Sequence, residues 1–252
     1  MKMKSLKPKI LRDFFGFLLD LIFPIQCLGC GDKNSYLCKK CLEKISPPAV
    51  EFCPVCEKAV TDSGKLCSLC QKENHPLNQL IVAANYQNEL LSRSVHFFKY
   101  RFVRSLGIPL GEVLTKAIQK SHSTIPDFII PIPLHSFRKR WRGFNQAEIL
   151  CKEISLLLIP GIEIPVISDL VVRQKFTRPQ MKISGYHQRQ QNIAGAFNLN
   201  HYSKWLTEIK GKKILIVDDI CTTGATLFEV ARVIKKLQPK SIAGAVLARQ
   251  KN

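Results

Sequence analysis

Residues 214–227 read ILIVDDICTTGATL and combine an apolar run, two acidic residues and a turn of small and hydroxyl side chains. The apolar run is typical of a buried strand, and it ends at Asp218 and Asp219. Backbone amides at the start of a following helix bind phosphate, and threonine hydroxyls add donors. Carboxylates at the carboxyl end of a strand can accept hydrogen bonds from sugar hydroxyls, directly or through Mg²⁺-bound water. The stretch therefore predicts a site for a ribose 5-phosphate.

Strand and helix patterns alternate through the rest of the C-terminal part. Apolar residues recur on one helical face over 144–158 and again over 226–238. Short apolar runs rich in Ile and Val predict four strands and a weaker fifth: Leu80–Tyr86, Phe128–Pro133, Lys213–Ile220, Ser241–Ala248 and, as the weaker one, Ile162–Val166. This alternation predicts an α/β fold, a parallel sheet flanked by helices on both faces.

The charge balance of the chain is strongly basic. Its 252 residues include 38 Lys and Arg against 19 Asp and Glu, a formal net charge of +19. Such an excess favours a polyanionic partner or substrate, such as nucleic acid, a phosphate-rich metabolite or an acidic membrane surface, without choosing among them. No uninterrupted apolar run approaches the roughly 18 to 20 residues of a membrane span, so we expect no transmembrane segment.

Residues 1–26 have the pattern of an amphipathic helix with one narrow polar stripe. We expect this helix to dock on the protein's own body or on a second subunit. The lysines ahead of it leave peripheral contact with an acidic membrane open. Asp13 and Asp20 interrupt the apolar stretch, and no small-residue cleavage site follows before Cys27, unlike a signal peptide. We therefore expect a cytoplasmic protein.

Eight of the ten cysteines form four CxxC pairs. Two residues between thiolates allow both sulfurs to bind one tetrahedral zinc ion, and redox-active thiols are the less favoured interpretation. Two structural Zn²⁺ sites of four cysteines each are the simplest assignment, although an interleaved pairing also satisfies the ligand count. In sequential order, the first set is Cys27, Cys30, Cys38 and Cys41, and the second is Cys53, Cys56, Cys67 and Cys70.

The cysteine segment is short and poor in large apolar residues, so metal would have to supply its stability. We therefore divide the chain into an N-terminal amphipathic helix (1–26), a double zinc ribbon (27–75) and an α/β domain (76–252). A zinc ribbon can bind DNA or serve for internal docking or protein contact, and the sequence leaves both open.

The loop at 214–227 resembles the phosphoribosyl pyrophosphate signature of type I phosphoribosyltransferases. Other segments narrow the resemblance to the ComF family of ComFC-like competence proteins, and the tandem CxxC region ahead of them fits the same family. The likeness covers about residues 10–250. The segments that carry it are Pro131–His135, Arg140–Ala147, Thr177–Gln180 and Arg189–Asn192, the last leading to Gly195–Phe197.

This resemblance implies a type I phosphoribosyltransferase-like sheet and a ligand, phosphoribosyl pyrophosphate (PRPP), bound with Mg²⁺. It implies that Asp218 and Asp219 address the ribose hydroxyls. It places the 5′-phosphate against the following residues: Thr222, Thr223, Gly224, Ala225 and Thr226. The pyrophosphate side, or a nucleic-acid contact, is expected at a set of arginines: Arg138, Arg140, Arg142, Arg173 and Arg189. No nucleobase-binding hood is recognisable.

Three windows of the C-terminal part contain no Asp or Glu: 90–111, 128–147 and 170–207. Aromatic side chains are interspersed with Lys and Arg in each of them. This composition suits single-stranded nucleic acid, because rings stack on bases and cations follow phosphates. Solvated basic faces with the rings turned to the core are the alternative for any single window.

Two functions follow as hypotheses. In the first, the protein is a competence factor that handles incoming single-stranded DNA, together with other proteins of the uptake machinery, and its PRPP site is a sensor or relic. In the second, it is an active Mg²⁺-dependent phosphoribosyltransferase on an unknown acceptor. The family resemblance favours DNA uptake as the context, whereas the loop chemistry favours the ligand.

Overall fold

A computed structural model describes residues 25–250 with the exception of 49, 74, 122 and 178–185, and it describes 186, 187, 189 and 190 by their backbone alone. The amphipathic helix predicted for 1–26 therefore lies outside the described residues, apart from its last two positions. The chain divides into two compact units, one ending at Lys44 and the other beginning at Ile45.

The first unit contains one cysteine quartet held by short turns. An antiparallel bridge joins Gln26 to Lys33, and the amide of Cys27 donates to the carbonyl of Asp32 over 2.8 Å, which closes the first turn. Helix α1 (Lys39–Leu42) begins directly after the third cysteine of the quartet and contains the fourth.

The second unit begins with the other cysteine quartet, which includes a 3₁₀ turn (Asp62–Gly64) and helix α2 (Ser68–Lys72). The remaining elements are β1 (Gln79–Asn85), α3 (Glu89–Tyr100), a 3₁₀ turn (Arg104–Leu106), α4 (Gly107–Lys120), β2 (Phe128–Pro131), α5 (Ser136–Arg142), α6 (Gln146–Leu157), β3 (Val171–Arg173), α7 (Tyr186–Ile193), β4 (Phe197–Leu199), β5 (Lys213–Cys221), α8 (Ala225–Lys235) and β6 (Ser241–Arg249). No helix among the described residues is both long and apolar enough to cross a bilayer.

Four strands form a parallel sheet in the order β1-β6-β5-β2. They correspond to the four stronger strand predictions. Because the strands are parallel, their carboxyl ends meet at one edge of the sheet. Cys221 of β5 and Asn85 of β1 both pair with Arg249 of β6 at that edge.

Both faces of the sheet are covered, as the alternation of strands and helices predicts. Ile214 and Ile216 of β5 belong to a buried cluster with Leu227 and Val230 of α8. The side chains that alternate with them along β5 point to the opposite face. Helices α4 and α6 pack together on that face. The strands that end at the predicted site are therefore buried between α8 on one face and α4 with α6 on the other.

The predicted fifth strand, Ile162–Val166, is not a strand of the sheet. It makes two isolated bridges, Ile159 to Ile162 and Ile129 to Val166. The ladder does not extend because Pro165 has no amide hydrogen, although its carbonyl accepts from Ile129 over 3.0 Å. A short antiparallel pair, β3 with β4, was not predicted and packs on α8.

Candidate functional site

A cavity of about 670 Å³ opens at the carboxyl edge of the sheet. The end of β5, the first turn of α8, the last turn of α3 and one side of α5 line it. This is the edge at which ligands bind in open parallel sheets, because strand-end residues and helix N-termini converge there.

The acidic couple predicted at the end of β5 lines this cavity. The amide of Asp219 donates to Oδ1 of Asp218 over 2.9 Å, and the amide of Ile220 donates to Oδ1 of Asp219 over 2.6 Å. Lys99 Nζ, from the end of α3, lies 2.9 Å from Asp219 Oδ1, and both side chains are nearly buried. The carboxylates are thus oriented by the main chain and neutralised in part by one lysine.

These buried charges shift one another's protonation. Burial, and then the negative charge of Asp219, raise the pKa of Asp218 to about 7, although Lys99 acts in the opposite direction. Burial opposes the charge of Lys99, but the carboxylates of Asp219 and Asp218 outweigh it and raise its pKa. Lys99 is therefore a cation, whereas Asp218 changes charge near neutrality. A ligand that donates hydroxyl hydrogens here favours the ionised form of Asp218.

The turn after β5 leads into α8 through Gly224, whose φ of +79° is left-handed. A Cβ at this glycine would lie 2.8 Å from the ring of Phe228, so both the conformation and the close packing require glycine. Gly224 is the N-cap of α8, and the first amides of a helix have no partner within the helix. Four of the five predicted phosphate residues line the cavity: Thr222, Gly224, Ala225 and Thr226.

Thr223, the fifth, does not line the cavity. Its hydroxyl oxygen is buried and has no hydrogen-bond partner among the described residues. Thr223 is therefore not among the residues that line the predicted phosphate site, although it precedes the N-cap of α8.

Helix α5 carries two of the predicted arginines towards the cavity. The His135 ring accepts a hydrogen bond from the amide of Phe137 over 3.3 Å at the start of α5, and left-handed Gly143 ends the helix. Arg138 and Arg142 lie four positions apart, so they share one face of the helix and both line the cavity. Arg140, between them, is exposed and does not line it.

Arg173, from the end of β3, joins these two arginines in lining the cavity. Arg173 donates to the Thr177 hydroxyl, and Arg138 donates to the Thr177 carbonyl over 2.8 Å. Arg142 donates to Gln146 Oε1 over 2.6 Å. Through Thr177, which both contact, Arg138 of α5 and Arg173 of β3 are brought together although they are far apart along the chain. Arg189 belongs to α7, and its side chain is outside the description.

We call Arg138, Arg142 and Arg173 the arginine trio. No member forms an ion pair with a carboxylate of the described residues. The Nε groups of Arg142 and Arg173 are buried and have no hydrogen-bond partner in the described part of the chain. Burial and the charge of Arg138 lower the pKa of Arg173 to about 10. Three clustered, partly desolvated cations with spare donors make this side of the cavity suitable for a multiply charged anion.

Sequence reasoning missed Lys99 and an aromatic wall as parts of this site. The wall, here called the aromatic rim, consists of Tyr100, Phe137, Trp141 and Phe176, all of which line the cavity. Phe137 is 57% exposed, and Trp141 and Phe176 are each 58% exposed. The Phe137 and Phe176 rings meet edge to face at 5.6 Å. The sequence did contain a signal for part of this wall. Phe137 and Trp141 are four positions apart, next to Arg138 and Arg142 at the same spacing, so a helix places these rings beside the arginines.

The cysteines form two sequential quartets rather than an interleaved set. In each quartet the four Sγ atoms lie within 4.8 Å of one another. Zn–S bonds of about 2.3 Å in a tetrahedron place sulfurs roughly 3.8 Å apart. Cys30 and Cys38 are separated by 3.6 Å between Sγ atoms, and Cys56 and Cys67 by 3.9 Å. These distances suit shared zinc ligation and are too long for disulfides. Four thiolates fill a tetrahedral site, which supports structural zinc in both quartets.

Comparisons with known proteins agree with this arrangement. Residues 18–71 match the family model of a double zinc ribbon domain, and residues 145–252 match that of a phosphoribosyl transferase domain. Competence protein F of Haemophilus influenzae is 30% identical over 236 residues, which cover 90% of this chain and 98% of that protein. The chain belongs to the ComF family.

Other ComF relatives extend across most of the same length. DNA utilization protein YhgH of Escherichia coli K12 is 30% identical over 187 residues, covering 73% of this chain and 77% of that protein. Competence protein ComFC of Bacillus subtilis is 22% identical over 230 residues, covering 86% and 85%. The predicted family, the type I phosphoribosyltransferase-like fold and the zinc-ribbon module are thereby confirmed.

We predict that the two zinc sites of this ComF chain are independent. Metal analysis of the purified protein should give two zinc ions per chain, and Cys30→Ser or Cys56→Ser should each leave one, because each change removes a ligand from a different quartet. The double variant should retain none, while Cys151→Ser, at a buried cysteine outside both quartets, should retain both. Retention of one ion by the double variant would contradict the sequential quartets, and loss of both ions in either single variant would contradict their independence.

The raised pKa of Asp218 predicts a pH-dependent effect on stability. Its pKa in the folded protein, about 7, exceeds the ordinary value of 3.8, so ionisation of Asp218 destabilises the folded state progressively as the pH rises between those values. Asp218→Asn should therefore increase the free energy of unfolding of the ligand-free protein at pH 8. The increase should shrink as the pH falls towards 5. Urea denaturation at several pH values measures this, with exposed Asp169→Asn as the control. A loss of stability that is the same at every pH would refute it.

Proposed function

We propose that this protein binds PRPP or a related ribose 5-phosphate in the cavity and acts on single-stranded DNA during DNA uptake. The observation that carries the ligand proposal is the distribution of charge around one cavity. Two carboxylates lie beside a helix N-terminus, and three arginines without acidic partners line the same cavity. A sugar with hydroxyls between two phosphate-bearing ends matches this order of donors and acceptors.

Each part of the ligand has a counterpart among these residues. Asp218 and Asp219 accept hydrogen bonds from the ribose hydroxyls, and the amides at the start of α8 bind the 5′-phosphate. The arginine trio binds the pyrophosphate. Mg²⁺ suits the donor set, since carboxylates can reach it through bound water, and it supplies neutralisation of the pyrophosphate charge.

The ligand proposal predicts a defined pattern of binding by calorimetry with PRPP and Mg²⁺. The wild-type protein should bind, and the affinity should fall as the pH drops below 7, because Asp218 becomes protonated. Asp218→Asn combined with Asp219→Asn, or Arg173→Met, should weaken binding by about tenfold or more, since each removes charged hydrogen bonds. Arg140→Met is the matched control, because Arg140 is exposed and does not line the cavity. Equal losses in the control and the trio variant would refute the proposed site.

The DNA proposal rests on the names of the relatives and on the surface around the cavity. Those relatives are called competence protein F, competence protein ComFC and DNA utilization protein. In this chain, exposed Phe137 and Trp141 alternate with Arg138 and Arg142 on one short helix. Rings that stack on bases beside cations that follow phosphates are the usual means of holding a single strand. This role places the protein in the cytoplasm, with other proteins of the competence machinery as further partners.

The DNA proposal predicts binding of labelled single strands that strengthens with oligonucleotide length and weakens steeply as salt rises. Arg138→Glu with Arg142→Glu should abolish most of it, and Trp141→Ala should weaken it by roughly tenfold, the order expected for one lost base stack. Fluorescence anisotropy measures both effects. Lys116→Glu changes the charge of an exposed residue on α4 and should have little effect. Absence of binding at low salt would exclude this function.

Transferase activity is the second candidate, and the aromatic rim is the observation that favours it. A planar acceptor could stack on the rim beside the ribose, while the phosphate-binding groups hold the ligand as pyrophosphate leaves the anomeric carbon.

Transferase activity predicts release of pyrophosphate when PRPP, Mg²⁺ and an acceptor are supplied. The rate should be lost in the Asp218→Asn, Asp219→Asn double variant, because the ribose is no longer held. A coupled pyrophosphate assay over the common nucleobases, with Arg140→Met as control, tests this. Binding of PRPP without turnover on any of these acceptors would favour a sensor over a nucleobase phosphoribosyltransferase.

A further inference from the structure

Arg249 connects the second cysteine quartet to the phosphate turn within the second unit. It is the last residue of β6 and lies at the carboxyl edge of the sheet, where it pairs with Cys221 of β5. Its side chain is only 9% exposed. Burying a guanidinium is costly unless its donors are satisfied, so its contacts indicate what it holds in place.

On one side, Arg249 binds the turn that carries two zinc ligands. Its Nη2 donates to the carbonyl of Pro54 over 3.3 Å and to Oε1 of Glu57 over 2.5 Å. Pro54 lies between Cys53 and Cys56, and the amide of Glu57 donates to the carbonyl of Cys53 over 3.0 Å. The guanidinium therefore contacts the turn that carries two of the four thiolates of the second quartet.

On the other side, Arg249 binds the phosphate turn. Its Nε donates to the carbonyl of Thr222 over 3.3 Å. The amide of Gln250, the next residue, donates to the carbonyl of Cys221 over 2.8 Å. Two consecutive carbonyls at the start of the turn are thus held by two consecutive residues at the end of β6.

Holding the Thr222 carbonyl also orients the next amide. A trans peptide group is planar, with its carbonyl and its N–H pointing in opposite directions. Because the carbonyl points towards Arg249, the N–H of Thr223 points away from it. The contact with Arg249 thus orients the peptide group between Thr222, which lines the cavity, and Thr223, which precedes the N-cap of α8.

We propose that Arg249 is a positioning residue through which the second zinc site fixes the conformation of the phosphate turn and thereby sets its affinity for a phosphate group. The effect on affinity rests on the ligand proposed above. The coupling between zinc and turn does not, because it concerns the ligand-free protein.

Hydrogen exchange, followed by NMR in the ligand-free protein, tests the coupling directly at two amides that donate to carbonyls of the phosphate turn: Gln250, bonded to Cys221, and Phe228, bonded to Gly224. Arg249→Met should accelerate this exchange severalfold while zinc stays at two ions per chain. Cys56→Ser, which disrupts the second quartet, should accelerate it similarly, whereas Cys30→Ser in the first quartet should not. Lys65→Met is the matched control, because this lysine of the same ribbon pairs with Asp62, away from the turn.

A double-variant cycle separates positioning from general destabilisation. If Arg249 transmits the effect of the zinc site, Cys56→Ser in the Arg249→Met background should add little further exchange, whereas independent effects would add. Should Arg249→Met fail to fold, Glu57→Gln weakens the same connection while leaving the contact with Thr222, and it should give a smaller acceleration. Unchanged exchange in the folded variants, or fully additive effects, would overturn the proposal.

Affinity for PRPP with Mg²⁺ supplies the second readout. Arg249→Met and Cys56→Ser should each weaken binding by about tenfold, the size expected when hydrogen bonds to a charged group are lost. Cys30→Ser and Lys65→Met should bind as the wild type does. If the wild type binds no PRPP, the proposed ligand fails while the exchange result still decides the coupling. If it binds and Arg249→Met binds equally well, the positioning role is overturned.

Discussion

The ion pair between Lys99 and Asp219 is the contact on which the site depends. Two adjacent carboxylates at the end of a buried strand repel each other and lose hydration, and both effects oppose ionisation. Lys99, 2.9 Å from Asp219, offsets part of this cost and is supplied by a helix at the other end of the domain's sequence. Lys99 does not offset the whole cost, since burial and the charge of Asp219 still raise the pKa of Asp218 to about 7. A group near its midpoint responds readily to a bound ligand.

The charges around the cavity are arranged in a complementary way. The arginine trio faces no carboxylate partner of its own, and buried donors on Arg142 and Arg173 are unused among the described residues. Unpaired, partly buried cations are costly, and three of them at one cavity support the proposal that an anion binds there. The aromatic rim adds an exposed stacking surface at the same opening, next to the groups that are proposed to bind a ribose phosphate.

The second cysteine quartet belongs to the same compact unit as the sheet, and its zinc-binding turn contacts the site through one buried arginine. The ribbon therefore has a direct connection to residues outside it, at the phosphate turn. In the coupling proposed above, zinc held by the second quartet orders the turn that contains Pro54, and Arg249 transmits that order to the phosphate turn.

Local signals in the sequence were sufficient for several features. Four short, continuously apolar runs predicted the four parallel strands, because a strand buried on both faces is apolar along its length. CxxC spacing predicted the four pairs of zinc ligands, since the two thiolates of a pair are close in any fold of the chain, but it left open which pairs share an ion. The sequence Asp218 to Thr226 predicted its own turn, because a glycine with positive φ and a helix start are local properties. The prediction of a fifth strand at Ile162–Val166 was wrong, because Pro165 prevents this apolar run from pairing along its length.

Only the tertiary structure determined which distant residues share the cavity. Lys99 was counted in a basic window, and nothing in its spacing connects it to Asp219. Arg138, Arg140 and Arg142 were equivalent in the sequence, and the turn of α5 separates the first and third from the second. Arg249 carried no signal at all. Such partnerships depend on strand order and helix rotation, which place side chains in contact without regard to their separation along the chain.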